Sequence, residues 1–301
     1  MEGAPSPPST ATPEPLRSIG EVVSLLAPEY PDVTPSSLRF LEREGLVVPR
    51  RTPGGHRLYG EADVARLRRV KRWQRERLSL AEIRQRLNAA DLLPPPQELA
   101  RAFLEQALAG RSQAARRTLV GAHEAGMPLE RLFQDVLRPA LYALGDRWAA
   151  GQLSVGQEHE VSALARDVVG ELSRVSLPEA GASQGGPGVV AACVPGETHD
   201  LGLRMAAGVW AHHGYRVHYL GADVPLEAIL DAVRSRRASV LLLSCALERH
   251  LPALETVLRA VAALPEGERP RVIAGGQAVS ARQETVRSLG AEPGLDLSPP
   301  R

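Results

Sequence analysis

The chain predicts a multidomain α and α/β architecture: a winged helix-turn-helix, a four-helix bundle, and a Rossmann-like doubly wound parallel sheet. Three observations predict it. Two capped helical stretches precede a Gly-rich hairpin; residues 97–176 are Ala- and Leu-rich with helical periodicity; and from residue 189 four apolar runs alternate with helical segments. Length agrees, because 301 residues with 44% hydrophobic content suit two or three domains better than one.

Formal net charge is +1, but it is unevenly spread. Residues 16–88 hold 15 Lys or Arg against 9 Asp or Glu, and the remainder holds 21 against 26. Nearly all of the cations in the first set are arginines, and a basic end points to nucleic acid. Residues 1–16, rich in Pro, Ser, Thr and Ala with no basic segment followed by an apolar one, are expected to be a disordered tail and not a signal peptide. No apolar run approaches the ~18 residues that cross a membrane, so a cytoplasmic protein without a membrane partner is expected. Cys193 and Cys245 each lie at the end of an apolar run and are expected in the core, with no disulfide framework or zinc spacing.

Ser18-Ile19-Gly20-Glu21 is a capping box that opens a helix over Val22 to Leu26. A second helix starts at Thr34 with Pro35 in its first position, runs through SSLRFLERE and is stopped by Gly45. Two extended runs joined through Pro53-Gly54-Gly55 form a hairpin wing, and helical patterns follow over Glu61 to Glu76 and Ser79 to Leu87. Ser36, Arg39, Phe40 and Arg43 share one face of the second helix, which suits a major groove, although Phe40 has a core alternative. Arg51, His56, Arg57 and Tyr59 on the wing are expected to contact phosphate, which positions the protein without reading sequence. This order of elements, with the residues LRFLEREGLVVPRRTPGGHRLY, resembles the DNA-binding domain of MerR-type regulators over residues 17–88. The resemblance implies a double-stranded DNA operator as partner.

Residues 89–97, with Asp91-Leu92-Leu93-Pro94-Pro95-Pro96, are expected to form a semi-rigid linker to a bundle over 98–176. In that bundle Trp148 ends one helix, Gly151 turns the chain, and Ser154 with Gln157 caps the next, placing Glu158 and His159 in its first turns. A Gly-rich linker over 177–188 leads to the sheet over 189–301, whose strands are expected at VVAAC, VHYL, VLLL and RVIA. Three polar clusters follow strand ends: Glu197-Thr198-His199-Asp200-Leu201-Gly202, Ser244-Cys245-Ala246-Leu247, and Gly275-Gly276. Ligands of open α/β sheets bind at such ends. His212-His213, beside Gly214, are explained by the helix dipole.

The three clusters together resemble the cobalamin-binding module of the methionine-synthase type, over roughly residues 188–292. The spacing Trp, nine residues, Glu-His resembles the bundle of cobalamin-binding regulators of the CarH and LitR kind. That resemblance implies adenosylcobalamin held between bundle and sheet, with His199 as cobalt ligand, Glu197 orienting its ring, and Trp148, Glu158 and His159 around the adenosyl group. It further implies that Ser244 hydrogen-bonds the nucleotide tail, that Leu247 lines its slot, and that Gly202, Gly275 and Gly276 admit the ligand to the backbone. In function it implies a non-enzymatic repressor, a dimer that is a tetramer when loaded in darkness, which light releases from carotenoid-type genes. Glu197 stands where the family often has Asp. Ala149 stands where some light-sensing relatives have a second histidine. The ending LDLSPPR is expected to leave no room for a closing helix. The alternatives are a cobalamin-sensing or partner-controlled regulator without photochemistry, and a corrinoid methyl-transfer protein.

Overall fold

The computed structural model describes residues 16–75, 77–173, 186–294, 297 and 299. Residues 1–15 of the expected tail, Glu76, most of the Gly-rich linker and most of the ending after 294 lie outside the described residues. Contacts divide the chain into two compact units, one up to Leu93 and one from Pro94.

In the first unit β1 (Arg17–Ser18) leads into α1 (Ile19–Leu26), and the Ser18/Glu21 capping box is formed in both directions. Helix α2 (Pro35–Arg43) begins with a second reciprocal cap between Thr34 and Ser37, and Gly45 at φ +69° follows its end. Strands β2 (Arg50–Arg51) and β3 (Arg57–Tyr59) make the expected hairpin, and β1 adds to β3 to give an antiparallel order β1-β3-β2. Two residues are too few for β1 to show a period in the sequence. Helices α3 (Glu61–Arg75) and α4 (Leu80–Asp91) close the unit over a core that includes Leu26, Leu38, Leu41 and Leu67. Helix α4 runs past the expected end at Leu87 to Asp91, whose carboxylate accepts a hydrogen bond from Arg66 at 2.6 Å.

Helix α5 (Pro96–Leu108) starts with Pro96 itself, in a first turn where a missing N–H breaks no helical bond. Only Leu92 to Pro95 therefore lies outside helix between α4 and α5. The bundle continues with α6 (Ser112–Glu124), then α7 (Leu129–Arg131), a π-helical stretch Leu132–Leu137 and α8 (Arg138–Ala149) without a break, and α9 (Val155–Ser173). Pro139 follows the π stretch; it cannot donate to the ladder, and its ring crowds the carbonyl four residues back, so the helix widens there. Buried Val161, Ala165, Val168 and Val169 mark the inward face of α9.

The last part has the order β4 (Gly188–Cys193), α10 (Leu201–His212), β5 (Arg216–Gly221), α11 (Leu226–Ser235), β6 (Val240–Ser244), α12 (Leu251–Ala262), β7 (Arg271–Gly275), α13 (Gln277–Ala281), α14 (Gln283–Ser288) and β8 (Glu292–Pro293). The sheet is parallel, in the order β5-β4-β6-β7-β8. Side chains of β4 alternate between two cores: Val189, Ala191 and Cys193 meet α10, and Val190 and Ala192 meet α11 and α12. Helices on both faces explain why β4 is buried throughout. The short edge strand β8 was not foreseen. No helix among the described residues is long and apolar enough to cross a membrane.

Candidate functional site

Strand order reverses at β4, so the crevice between the carboxyl ends of β4 and β6 is the switch point of the sheet. Glu197, on the loop after β4, spans that crevice with none of its surface exposed. Its Oε1 accepts from the His199 amide at 2.9 Å and lies 2.6 Å from His199 Nδ1. Its Oε2 accepts from the amides of Ala246 and Leu247, on the loop after β6, at 2.8 and 3.0 Å, and lies 3.0 Å from His250 Nδ1. Burial pushes the carboxyl up, but the bonds from the His199 amide, the two imidazoles and the Leu247 amide outweigh it and leave Glu197 at about 2.

An anionic Glu197 fixes both tautomers. His199 must carry its proton on Nδ1, so Nε2 keeps the lone pair a metal needs. The His199 side chain is 59% exposed, on a loop, within reach of a ligand. Arg249 Nε donates to His250 Nε2 at 3.1 Å, which leaves the His250 proton on Nδ1, facing Glu197. The neighbouring Asp200 is half-tied to the bundle: it accepts from Tyr219 at 2.8 Å, from Arg204 at 3.2 Å, and from Arg166 of α9 at 3.4 Å.

A cavity of about 190 Å³ opens beside this loop. Gly202, Ser244, Gly275 and Gly276 all line it; Leu247 does not. Leu247, three residues after Ser244, contributes its backbone N–H to Glu197. The glycines differ in their reasons. A β-carbon on Gly202 would meet nothing within 4 Å, so the space over it is open. One on Gly276, at φ +112°, would stand 2.2 Å from the Cys245 carbonyl, so this glycine serves the strand crossing before any ligand.

In the bundle, Gly151 at φ +70° turns the chain between α8 and α9, and Ser154 and Gln157 bond reciprocally at 3.0 and 3.2 Å. Trp148 is 48% exposed, more than a core ring would be. Glu158 Oε2 lies 2.9 Å from His159 Nδ1, and its Oε1 accepts from Ser162. In the first unit Ser36, Arg39 and Arg43 are exposed on α2, and so is Phe40 at 38%, which settles Phe40 as a surface residue. Arg51 and Arg57 both pair with Glu42 of α2, at 2.6 and 2.5 Å, and His56 is exposed. Tyr59 corrects the expectation of a phosphate contact: it is 0% exposed within the core, and its hydroxyl is buried without a partner.

The models of three protein families match this chain: a MerR HTH family regulatory protein over residues 18–90, and B12 binding domains over 99–173 and 187–297. The HTH-type transcriptional repressor CarH of Myxococcus xanthus is 34% identical over 88% of this chain and 91% of its own. The chain belongs to the CarH family of HTH-type transcriptional repressors. CarA of the same organism, also an HTH-type transcriptional repressor, is 31% identical over 85% of this chain and 87% of its own. The fold is shared with the monomethylamine corrinoid protein of Methanosarcina barkeri, at a TM-score of 0.51 and 18% identity, over 65% of this chain and 89% of that one.

As a CarH-family protein the chain is a DNA-binding transcription regulator with cobalamin as its cofactor class. Its residues fit that group: a histidine with a free Nε2, open space above Gly202, and a ring-sized cavity beside Ser244. His250 is the site residue that the sequence reading missed. It is brought to Glu197 from 53 residues away, and its one local signal was its place just after the Ser244–Leu247 strand end. Glu42 was missed in the same way, as the acid that anchors the wing arginines to α2.

Proposed function

We propose that this protein is a cytoplasmic repressor that holds adenosylcobalamin between bundle and sheet, binds its operator as a tetramer of the loaded form in darkness, and releases DNA in light. Carotenoid-type genes are the proposed targets. The single observation that carries the cofactor half is the buried Glu197 carboxylate, which presents His199 with Nε2 available at the switch point of the sheet. Adenosylcobalamin, when bound, supplies a cobalt–carbon bond that light breaks. His199 would hold the cobalt; Ser244, Gly202, Gly275 and Gly276 would accommodate the nucleotide tail; and Trp148 with Glu158 and His159 would meet the adenosyl group. Trp148 supports this role, since a half-exposed ring at a helix end has area to offer a ligand. Loss of its contact would change bundle packing, and a packing change can shift an assembly equilibrium.

On DNA, Ser36, Arg39 and Arg43 face the major groove from α2, with Arg39 as base reader. Arg51, His56 and Arg57 reach the backbone from the wing. The test is to purify the full chain in darkness with adenosylcobalamin and record spectrum, mass and operator binding before and after illumination. A bleachable spectrum, a fall in mass and a loss of DNA binding are expected. Ala149 favours a second reading, a cobalamin-sensing regulator without photochemistry, in which spectrum and mass stay the same in light.

A further inference from the structure

The cavity beside Ser244 has a wall that the sheet does not supply. Arg138, Leu141 and Tyr142, at spacing i, i+3, i+4, turn one face of α8 toward it, across from Gly202, Ser244 and Gly275. The bundle is seated firmly there. Helix α9 packs on α10 so closely that a β-carbon on Gly208 would stand 2.1 Å from Ser173 Oγ, and Arg166 bonds Asp200. The π-helical stretch Leu132–Leu137 ends immediately before Arg138 and sets which side of α8 meets the cavity.

Size and chemistry narrow the occupant. A dry cavity of ~150 Å³ takes a benzene ring, whereas whole drug-sized ligands occupy roughly 300–1,000 Å³. About 190 Å³ therefore admits one aromatic base and not a corrin ring. Leu141 and Leu203 give apolar wall, Ser244 and Tyr142 bring hydroxyls, and Arg138 is the only cation lining the space among the described residues. A guanidinium on the lining of a ring-sized slot suits a planar base carried on a phosphodiester.

We infer that the bundle reads the nucleotide tail of the corrinoid: Tyr142 closes the slot over the base and Arg138 pairs with the phosphodiester. The inference rests on the cobalamin reading above. It makes the tail a bridge between bundle and sheet, so that the protein separates corrinoids with a nucleotide tail from those without one.

The test is an absorbance titration of the full chain with hydroxocobalamin and with aquocobinamide, which has the same ring and no nucleotide. The parent should prefer hydroxocobalamin. Arg138→Gln and Tyr142→Ala should each weaken hydroxocobalamin binding about tenfold or more, as loss of a charge-assisted or stacking contact does, while aquocobinamide binding stays within about twofold. Tyr142→Phe, which keeps the ring, should keep most of the preference, and thermal unfolding like the parent's will certify each variant as folded. Equal weakening for both corrinoids, or an unchanged preference, would overturn the tail readout while leaving the cobalamin reading standing. A parent that binds neither corrinoid would overturn both.

Discussion

Glu197 holds its charge against burial because five donors converge on it, and that charge draws a proton to His199 Nδ1, which makes Nε2 the ring nitrogen turned to a ligand. Its folded pKa, about 2, lies below the ordinary 4.5. The stability it contributes is therefore fully present above pH 4.5 and is lost as pH falls toward 2. Denaturant unfolding across that window should show the decline, and Glu197→Gln should flatten it. Glu197→Ala, which strands buried donors from both loops, should cost about 3 kcal/mol at neutral pH. His199→Ala leaves the core untouched, so the fold should survive while the cobalt spectrum of the loaded protein loses the signature of an imidazole. An unchanged spectrum would remove His199 from the site. On the DNA side, Arg39 makes no hydrogen bond or ion pair among the described residues, and Arg39→Ala should cost roughly 1–3 kcal/mol at one operator position. Arg57 is already paired with Glu42. Arg57→Ala should weaken all sequences alike and lower the salt slope by about one at most, because Glu42, which Arg51 still contacts, already neutralises part of the Arg57 charge. Binding measured at several salt concentrations on two operators separates the two behaviours. His199 and Ser244 were legible because Ser244 ends an apolar strand run and His199 lies on the loop after one. His250 and Glu42 were not, because their partners lie far along the chain.

At the scale of elements, the contact between α9 and α10 decides how bundle and sheet meet. It is close because Gly208 has no side chain and Ser173 is small. A β-carbon on Gly208 would lie 2.1 Å from Ser173 Oγ and 2.4 Å from its Cβ, so Gly208→Ala must push the helices apart. About 1–3 kcal/mol of destabilisation is expected by thermal or denaturant unfolding, the usual cost of overpacking. Ser173 Oγ is buried without a partner, so adding Ser173→Gly to Gly208→Ala should recover part of that loss at little polar cost. No recovery would mean that the two helices do not meet as described. Helix caps were readable in advance, since Ser18, Thr34 and Ser154 sit at fixed offsets from their partners. The length of α4 was not, because the Arg66–Asp91 pair that secures its last turn joins residues 25 apart.

For the whole molecule the question is how a ligand alters assembly. Trp148 is the group to test, as the exposed ring that ends α8. Trp148→Ala should leave the protein coloured with adenosylcobalamin, since the His199 loop and the slot beside Ser244 are intact, and should abolish any change in mass between dark and light. Size-exclusion chromatography in both conditions reads this directly. A variant that assembles in darkness and dissociates on illumination like the parent would reduce Trp148 to surface packing.

Sequence alone determined the three kinds of architecture, their order, and the residues that cap helices or follow strands, because capping, periodicity and strand-end placement are local and act over a few residues. Tertiary structure alone decided what those residues touch. It buried Tyr59 and exposed Phe40, tied two wing arginines to one acid, gave the Leu247 amide to Glu197, and set a bundle helix against the cavity at the carboxyl ends of the strands. Each of these depends on groups tens of residues apart meeting in a crevice or core. Burial and hydrogen bonding there follow from how elements pack, which no period in the chain encodes.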